Sequence, residues 1–386
     1  MFSEELSNKF KTLETPFYYY DLELLQKTVD EITSAASENN YIIHYALKAN
    51  SNDRILDVIK KAGLGADCVS GNEVQKAIDR GFVADKIAFA GVGKSDKEIR
   101  IGLKHNIFCF NVESIPELEV IDQIAGAENK IADIALRINP NVNAKTHHYI
   151  TTGIEENKFG INRWEFDAVM EKLKQLKNIQ LKGLHFHIGS QIKDLDVFKA
   201  LCNRINRIQQ WFIDHHFIAE HVNAGGGMGV DYENPDESLI PDFNSFFRIF
   251  KKFLHLQPGQ ELHFEIGRAI VAQCGNLITK VLFVKKGINT QFVIADAGMT
   301  ELIRPALYQS VHKIQNLTSI SAPTERYDVV GPICESSDCF GKSIILPETK
   351  RGDLLAIRTA GAYGEVMASQ YNLRDLVKPV YSTDLK

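Results

Sequence analysis

Short apolar runs alternate with longer segments in which apolar residues recur every three or four positions, from residue 26 to residue 266. The short runs, centred on Ile43, Ala66, Ala88, Cys109, Ala135, Leu184, Val222 and Phe264, read as eight buried strands. The longer segments carry groupings such as Ile55, Leu56, Val58, Ile59 and Leu118, Val120, Ile121, Ile124, which give each helix one apolar face. Three of them open on Ser-x-x-Glu just past a strand, at Ser70 to Glu73, Ser95 to Glu98 and Ser114 to Glu117. In that box the hydroxyl and the carboxylate satisfy the first amides of a helix. Eight β/α units within residues 26–266 match the roughly 250 residues of a closed parallel barrel. The pattern therefore predicts an α/β fold, a (β/α)8 TIM-like barrel, with an open doubly wound sheet as the alternative.

After Gly267 the period changes. Leu277 to Val284, Gln291 to Asp296, Tyr327 to Val330 and Leu354 to Thr359 read as strands separated by Gly, Pro and Asp turns, with no long helix between them. The aromatic run Phe17-Tyr18-Tyr19-Tyr20 precedes the first helical pattern and suits the same sheet. The expected organisation is a barrel at 26–266 inserted into an all-β domain, a sandwich or small barrel, formed by 1–25 and 267–386. No internal repeat beyond the β/α alternation and no low-complexity linker interrupts it.

Charge narrows the partners. The 386 residues carry a formal net charge of -5 with Lys and Arg scattered, which argues against nucleic acid and leaves small molecules or another protein chain. No apolar stretch approaches a membrane span, and acids at Glu4 and Glu5 stand where a secretory signal would be basic, so the expectation is a cytoplasmic protein. The six cysteines form no CxxC pair and no dense framework, which fits reduced thiols.

The candidate chemistry lies at the carboxyl ends of the strands, where a barrel keeps its active site. The first strand ends in Lys48; the second, fifth, sixth, seventh and eighth end in Asp67, in Arg137-Ile138-Asn139, in His185-Phe186-His187-Ile188-Gly189-Ser190, in Gly225-Gly226-Gly227, and in Glu265-Ile266-Gly267-Arg268. A lysine at such a position either snorkels into solvent or serves as an amine of lowered pKa toward an aldehyde. Three glycines after a strand are either a flexible turn or an anion cradle of backbone amides, to which Ser190 could add a hydroxyl. His185 and His187 alternate onto one face, but no third ligand stands at fitting spacing, so no metal is expected; a ring-stacking histidine with a core neighbour accounts for both. His147-His148 reads as a solvated loop. Glu265 and Arg268 form either a structural ion pair or, through Glu265, the partner of a pyridine nitrogen. Lysine, anion cradle, flat histidine and carboxylate together are what pyridoxal 5'-phosphate needs.

On these motifs the chain resembles the fold-type III pyridoxal phosphate decarboxylases over nearly its whole length. Tyr45 to Asn50 is similar to the family's cofactor-lysine motif, His187 to Gln191 to its stacking and phosphate segment, Gly225 to Gly227 to its phosphate loop, and Thr151 to Gly160 to a further loop. Glu265-Ile266-Gly267-Arg268 departs from the usual Glu-Pro-Gly-Arg at Ile266. Three later motifs also match: Leu302 to Tyr308, Gly331 to Asp338 around Cys334-Glu335-Ser336, and Gly361 to Gly364 around Tyr363.

The resemblance implies a cofactor site of Lys48, Asp67, His187, Ser190, Gly225, Gly226, Gly227, Glu265, Gly267, Arg268 and Tyr363. It implies a substrate site of Arg268, Arg304, Tyr308, Glu335, Ser336 and Tyr363, with Cys334 as proton donor supplied by the other subunit of a head-to-tail homodimer. Arginines for a distal carboxylate, and Glu335 where ornithine decarboxylases carry aspartate, favour meso-2,6-diaminopimelate, decarboxylated at its D-centre to L-lysine in the last step of lysine biosynthesis. The competing expectations are decarboxylation of ornithine, lysine or carboxynorspermidine on the same fold, and a catalytically silent regulatory homologue.

Overall fold

The computed structural model describes residues 2–142, 158–320 and 323–385. The chain divides into two compact units, one of residues 29–229 and 242–267, the other of residues 1–28, 230–241 and 268–386.

The strands in chain order are β1 (Phe17–Tyr20), β2 (Ile42–Ala46), β3 (Gly65–Cys68), β4 (Ile87–Phe89), β5 (Cys109–Val112), β6 (Ala132–Ile138), β7 (Ile179–Phe186), β8 (His221–Asn223) and β9 (Glu261–Ile266). Strands β2 to β9 form a closed barrel, each parallel to the next, and β9 returns to β2 through the register Ile43↔Phe264 and His44↔Glu265. Each predicted strand centre falls on one of these eight. The doubly wound alternative is excluded by the closure.

Alternation along β9 shows how the barrel is built. Phe264 packs outward on Phe246, Phe247 and Phe250 of the helix Phe243–Phe253, with ring centroids 4.7–5.6 Å apart. Its neighbours His263 and Glu265 are also buried and have the opposite parity. Several strands carry buried polar side chains: His44, Asp67, Asn111, His185, His221, Asn223, His263 and Glu265. Polar groups in such numbers are tolerated only when hydrogen-bonded, and their pairing defines the site.

All three predicted helix starts are capped by their serines, but the reciprocal box forms only at Ser95. At the other two the glutamate reaches one residue further back, Glu73 to the Val69 amide and Glu117 to the Glu113 amide.

The second unit is a sheet in the order β12-β15-β10-β11-β13-β14, built from β10 (Gly275–Lys286), β11 (Gln291–Ala295), β12 (Ile314–Asn316), β13 (Thr324–Val330), β14 (Cys339–Pro347) and β15 (Leu354–Ile357). The N-terminal strand β1 pairs antiparallel with β10 and parallel with β16 (Pro379–Tyr381). Phe10, Phe17, Tyr19, Ile278, Leu354 and Ala356 form a core cluster here. Strands β12, β14 and β16 and the short helix Arg304–Tyr308 were not expected from the pattern. In β14 the alternation is broken by Gly341 and by Ser343 at φ 55°, opposite register shifts in β13. Residues 230–241 belong to the sheet unit although they lie inside the span read as barrel. Among the described residues no helix is long and apolar enough to cross a membrane.

Candidate active site

Lys48 sits in a single helical turn, Leu47–Ala49, directly after β2. The turn is pinned from below by the Tyr45 hydroxyl, which donates to the Asn50 carbonyl at 2.7 Å. Lys48 Nζ donates to Asp67 Oδ2 at 2.6 Å, and a third of the lysine side chain (33%) is exposed while Asp67 is fully buried. Asp67 Oδ1 receives no hydrogen bond. Burial and the charge of Glu265 push the Asp67 carboxyl up to about 7, against the pull of Lys48.

A second lysine gives the scale. Lys94 is 1% exposed and donates to the Gly91 carbonyl, the Asn111 carbonyl and Glu117 Oε1, at 2.8, 2.7 and 2.6 Å. All three ammonium protons are spent on the fold, so Lys94 is structural. Lys48 instead donates to a carboxylate whose second oxygen receives no hydrogen bond.

Glu265, near the end of β9, is the centre of the barrel's polar network. Its Oε1 accepts from Asn111 Nδ2 at 3.1 Å and from Asn223 Nδ2 at 2.8 Å, and its Oε2 faces His185 Nε2 at 2.9 Å. A carboxylate offers about four lone-pair positions. Three are taken, and the one left is on Oε2. Burial pushes the Glu265 carboxyl up, but His185 and then Lys48 outweigh it and hold the group ionised, well below the usual carboxylate range.

The end of β9 and the lysine turn are in contact. A side chain on Gly267 would meet Ala49 Cβ at 2.9 Å and Ala46 Cβ at 3.0 Å, so a glycine is required for β9 to lie against the residues flanking Lys48. Lys48 and Glu265 thus emerge from neighbouring parallel strands at the same end of one closed sheet.

The glycine turn after β8 is sterically enforced. Gly225 and Gly227 have φ of +70° and +109°, and a Cβ on Gly226 would overlap the Glu265 carbonyl. Its amides are not equivalent, because Gly225 N–H donates to Asn223 Oδ1 at 2.9 Å. Gly225 therefore fixes the turn, and Gly226 and Gly227 are the better donors to an anion. Gly226 N–H makes only a long hydrogen bond, donating to His187 Nδ1 at 3.4 Å. Burial, with the charges of Arg137 and Lys48, holds His187 well below the usual histidine range, so it is a neutral, flat ring. The segment bearing half-buried Ser190 is stitched to the glycine turn by Ile192 N–H to the Gly227 carbonyl at 2.8 Å and Gly229 N–H to the Ile192 carbonyl at 3.0 Å. Beside these, Arg137 and Glu113 form a buried ion pair of 2.7 Å.

These residues fit a phosphorylated pyridoxal ring: an amine for its aldehyde, a neutral histidine for its face, glycine amides for its phosphate, and one open acceptor position on a buried carboxylate for a ring N–H. His185 and His187 are engaged separately, and among the described residues no group of three or more His, Cys, Asp or Glu is arranged to hold a metal ion. His147-His148 and Thr151 to Gly153 lie outside the described residues.

The sheet unit holds the remaining candidates. Arg268 and Arg304 are each 5% exposed and share Tyr232, whose hydroxyl accepts from Arg268 Nη1 and whose ring lies 5.0 Å from the Arg304 guanidinium. Tyr363, at φ 55°, stacks on Arg268 at 4.7 Å, and Tyr308 lies 5.9 Å from Arg304. His312 is pushed down to about 3 by burial and by Arg304; it donates from Nδ1 to the Arg358 carbonyl at 2.9 Å and accepts from Arg304 Nε at 3.4 Å. No carboxylate of the described residues pairs with Arg304.

Cys334, Glu335 and Ser336 are exposed on a loop held by buried Asp338, which accepts from the Ile333 and Met299 amides at 2.7 and 2.6 Å. Tyr371 donates to Glu335 Oε1 at 2.7 Å, and Asn372 Oδ1 accepts from the Cys334 amide at 3.3 Å. Cys334 is thus an exposed thiol and not part of a packed core.

The sequence reading passed over Asn111, Asn223, Tyr232, His312 and Tyr371. The asparagines carried a weak signal, since Asn is disfavoured inside strands unless its amide is used.

Residues 23–272 match the pyridoxal-dependent decarboxylase family, pyridoxal binding domain. The chain is 56% identical to a diaminopimelate decarboxylase of Bacteroides thetaiotaomicron over 98% of both chains. Its fold is similar to the crystal structure of diaminopimelate decarboxylase from Helicobacter pylori complexed with L-lysine, with a TM-score of 0.91 at 41% identity over 97% of this chain and 93% of that one. It is also similar to the diaminopimelate decarboxylase of M. jannaschii in co-complex with L-lysine, with a TM-score of 0.88 at 34% identity over 98% and 89%.

Proposed function

Because the chain belongs to the pyridoxal-dependent decarboxylases, and within them to the diaminopimelate decarboxylases, we propose that it converts meso-2,6-diaminopimelate to L-lysine and carbon dioxide. The bond between the D-centre carbon and its carboxylate breaks, and a proton takes the place of the departing carbon dioxide. When bound, pyridoxal phosphate supplies an aldehyde for the substrate amine and a protonated ring that draws off the electron pair released.

The chain's own residues divide the remaining work. Lys48 offers the amine that anchors the aldehyde, and Asp67 holds that amine in place. The His187 ring covers one face, while Gly226, Gly227 and Ser190 take the phosphate. Glu265 keeps a proton on the ring nitrogen. Arg304, Arg268 and Tyr308 bind the carboxylate that remains on the product, a role that suits the forked guanidinium of Arg304, which pairs with no carboxylate among the described residues. Glu335, with Ser336 beside it, takes the distal ammonium, and Cys334 delivers the proton.

The exposure of Cys334 and Glu335, on a loop braced by Tyr371 and Asn372, supports their serving the site of a second copy in a homodimer. A cytoplasmic location suits six cysteines without a disulfide. The observation that carries the reading is the Gly267 contact, which brings the Glu265 strand end against the two alanines that flank Lys48.

The test is direct: purified protein with pyridoxal phosphate and meso-diaminopimelate yields L-lysine and carbon dioxide, and leaves ornithine and L-lysine unchanged. Turnover of ornithine at a comparable rate would overturn the substrate assignment. A Lys48→Ala variant with an unaltered cofactor absorption spectrum would overturn the role of Lys48. Mixing inactive Lys48→Ala and Cys334→Ala proteins restores activity if the sites are shared, and not otherwise.

A further inference from the structure

Of the three polar side chains in the motif His185 to Ser190, His185 is the one that the proposed reaction does not use. It is 1% exposed, lies on β7, and stands in register with Arg137 on β6 and with Asn223 on β8, so its backbone is fixed on both sides. Its two ring nitrogens differ. Nε2 lies 2.9 Å from Glu265 Oε2, whereas Nδ1 is buried and has no hydrogen-bond partner.

That asymmetry fixes the proton. A doubly protonated ring would bury an N–H donor at Nδ1 with no acceptor, at the full cost of desolvating it. A ring protonated only at Nδ1 would strand the same donor and set a lone pair against an ionised carboxylate. The remaining form, neutral with its proton on Nε2, donates to Glu265 and leaves only a lone pair, not an N–H, unpaired at Nδ1.

We propose that His185 is a positioning residue for the cofactor: a neutral donor that locks Glu265 in its charged form and turns the one open acceptor position on Oε2 toward the ring nitrogen. The proposal rests on the reading of Glu265 as the partner of that nitrogen. Neutrality is essential to it. A cation at position 185 would neutralise the carboxylate, and the proton on the ring nitrogen would lose its counter-charge. Asn111 and Asn223 act in the same sense on Oε1, so three hydrogen bonds hold the carboxylate.

The experiment uses the full chain loaded with pyridoxal phosphate carrying nitrogen-15 in its ring, whose resonance reports directly whether that nitrogen is protonated. Wild type, His185→Leu, His185→Gln and His185→Asn are compared at neutral pH. Glutamine can place an N–H near the Nε2 position; asparagine, one methylene shorter, cannot. The expected result is a protonated nitrogen in wild type and His185→Gln, and a shift toward the unprotonated resonance in His185→Leu and His185→Asn, with kcat/KM lower by about tenfold to a hundredfold.

A wild-type resonance in folded His185→Leu would overturn the proposal. If the leucine variant does not fold, equal protonation in the glutamine and asparagine variants overturns it instead. An unprotonated nitrogen in wild type would refute the Glu265 reading itself, and this outcome is distinct from the other two.

Discussion

Glu265 in the barrel and Arg304 in the sheet unit are buried charges of opposite sign, and the fold treats both differently from the Arg137–Glu113 pair. Glu265 is surrounded by His185, Asn111 and Asn223, with no lysine or arginine hydrogen-bonded to it. Arg304 is surrounded by Tyr232, Tyr308 and His312, with no described carboxylate in reach. Arg137 and Glu113 neutralise each other at 2.7 Å, and Glu113 also accepts from the Gly91 and Gly160 amides at 3.2 and 3.1 Å. A charge paired within the fold is spent on the fold. A charge held only by dipoles costs stability and keeps its attraction for a ligand.

The largest expected effect comes from breaking the paired case. Arg137→Met leaves Glu113 buried without its cation and should lower the unfolding free energy by about 3–5 kcal/mol, read by denaturant titration of the apoprotein. A loss below about 1 kcal/mol would mean that the pair is not the structural element the comparison takes it for. Glu265→Gln is the converse. It removes a charge that no lysine or arginine hydrogen-bonds in the apoprotein, so the apoprotein should melt little lower than wild type, while kcat falls on the order of a thousandfold in the loaded enzyme. A large drop in melting temperature would put Glu265 with Glu113 and end the distinction.

Arg304→Leu should have a smaller effect, confined to the substrate. Losing a charge-assisted contact to a carboxylate is worth about 1.5–3 kcal/mol, so kcat/KM for meso-diaminopimelate should fall by about tenfold to a hundredfold, chiefly through KM. Stability should hold or rise. An unchanged KM would remove Arg304 from the substrate site.

The same contrast explains what could be read in the sequence. Lys48, Gly225 to Gly227 and Glu265 were legible because each ends an apolar run, and a barrel gathers its strand ends. The eight strand centres were legible for the same reason. Asn111 and Asn223 were not, because a polar residue in a short strand says nothing about which carboxylate it will meet; the pairing of Asn111 with Glu265 spans 154 residues and exists only once the sheet has closed. Tyr232 was hidden differently. It stands in a stretch rich in Gly, Asp and Pro that reads as a connecting loop, and nothing local signals that 230–241 leaves the barrel for the sheet unit. The sequence pattern locates the charges well and the neutral groups that hold them poorly.

The smallest effect is the most pointed, because it compares two carboxylates inside the barrel. Glu265 has three donors and stays ionised; Asp67, fully buried with one oxygen bare, is pushed from its usual 3.8 to about 7. For an acid whose folded pKa is raised, the native state retains a proton that the unfolded chain has already lost, so stability falls as pH rises through the interval between the two values. Asp67→Asn cannot titrate. The melting temperature of the wild-type apoprotein minus that of Asp67→Asn should therefore decline as pH rises from 3.8 toward 7 and level off above it. Glu265→Gln should show no such decline, because a carboxylate held below its usual value contributes its stability above that value and loses it only in strong acid. If the Asp67→Asn difference stayed flat or rose with pH, Lys48 would have to hold Asp67 ionised throughout. The two acids would then be alike, and the lysine turn would resemble the Arg137–Glu113 pair more than it resembles Glu265.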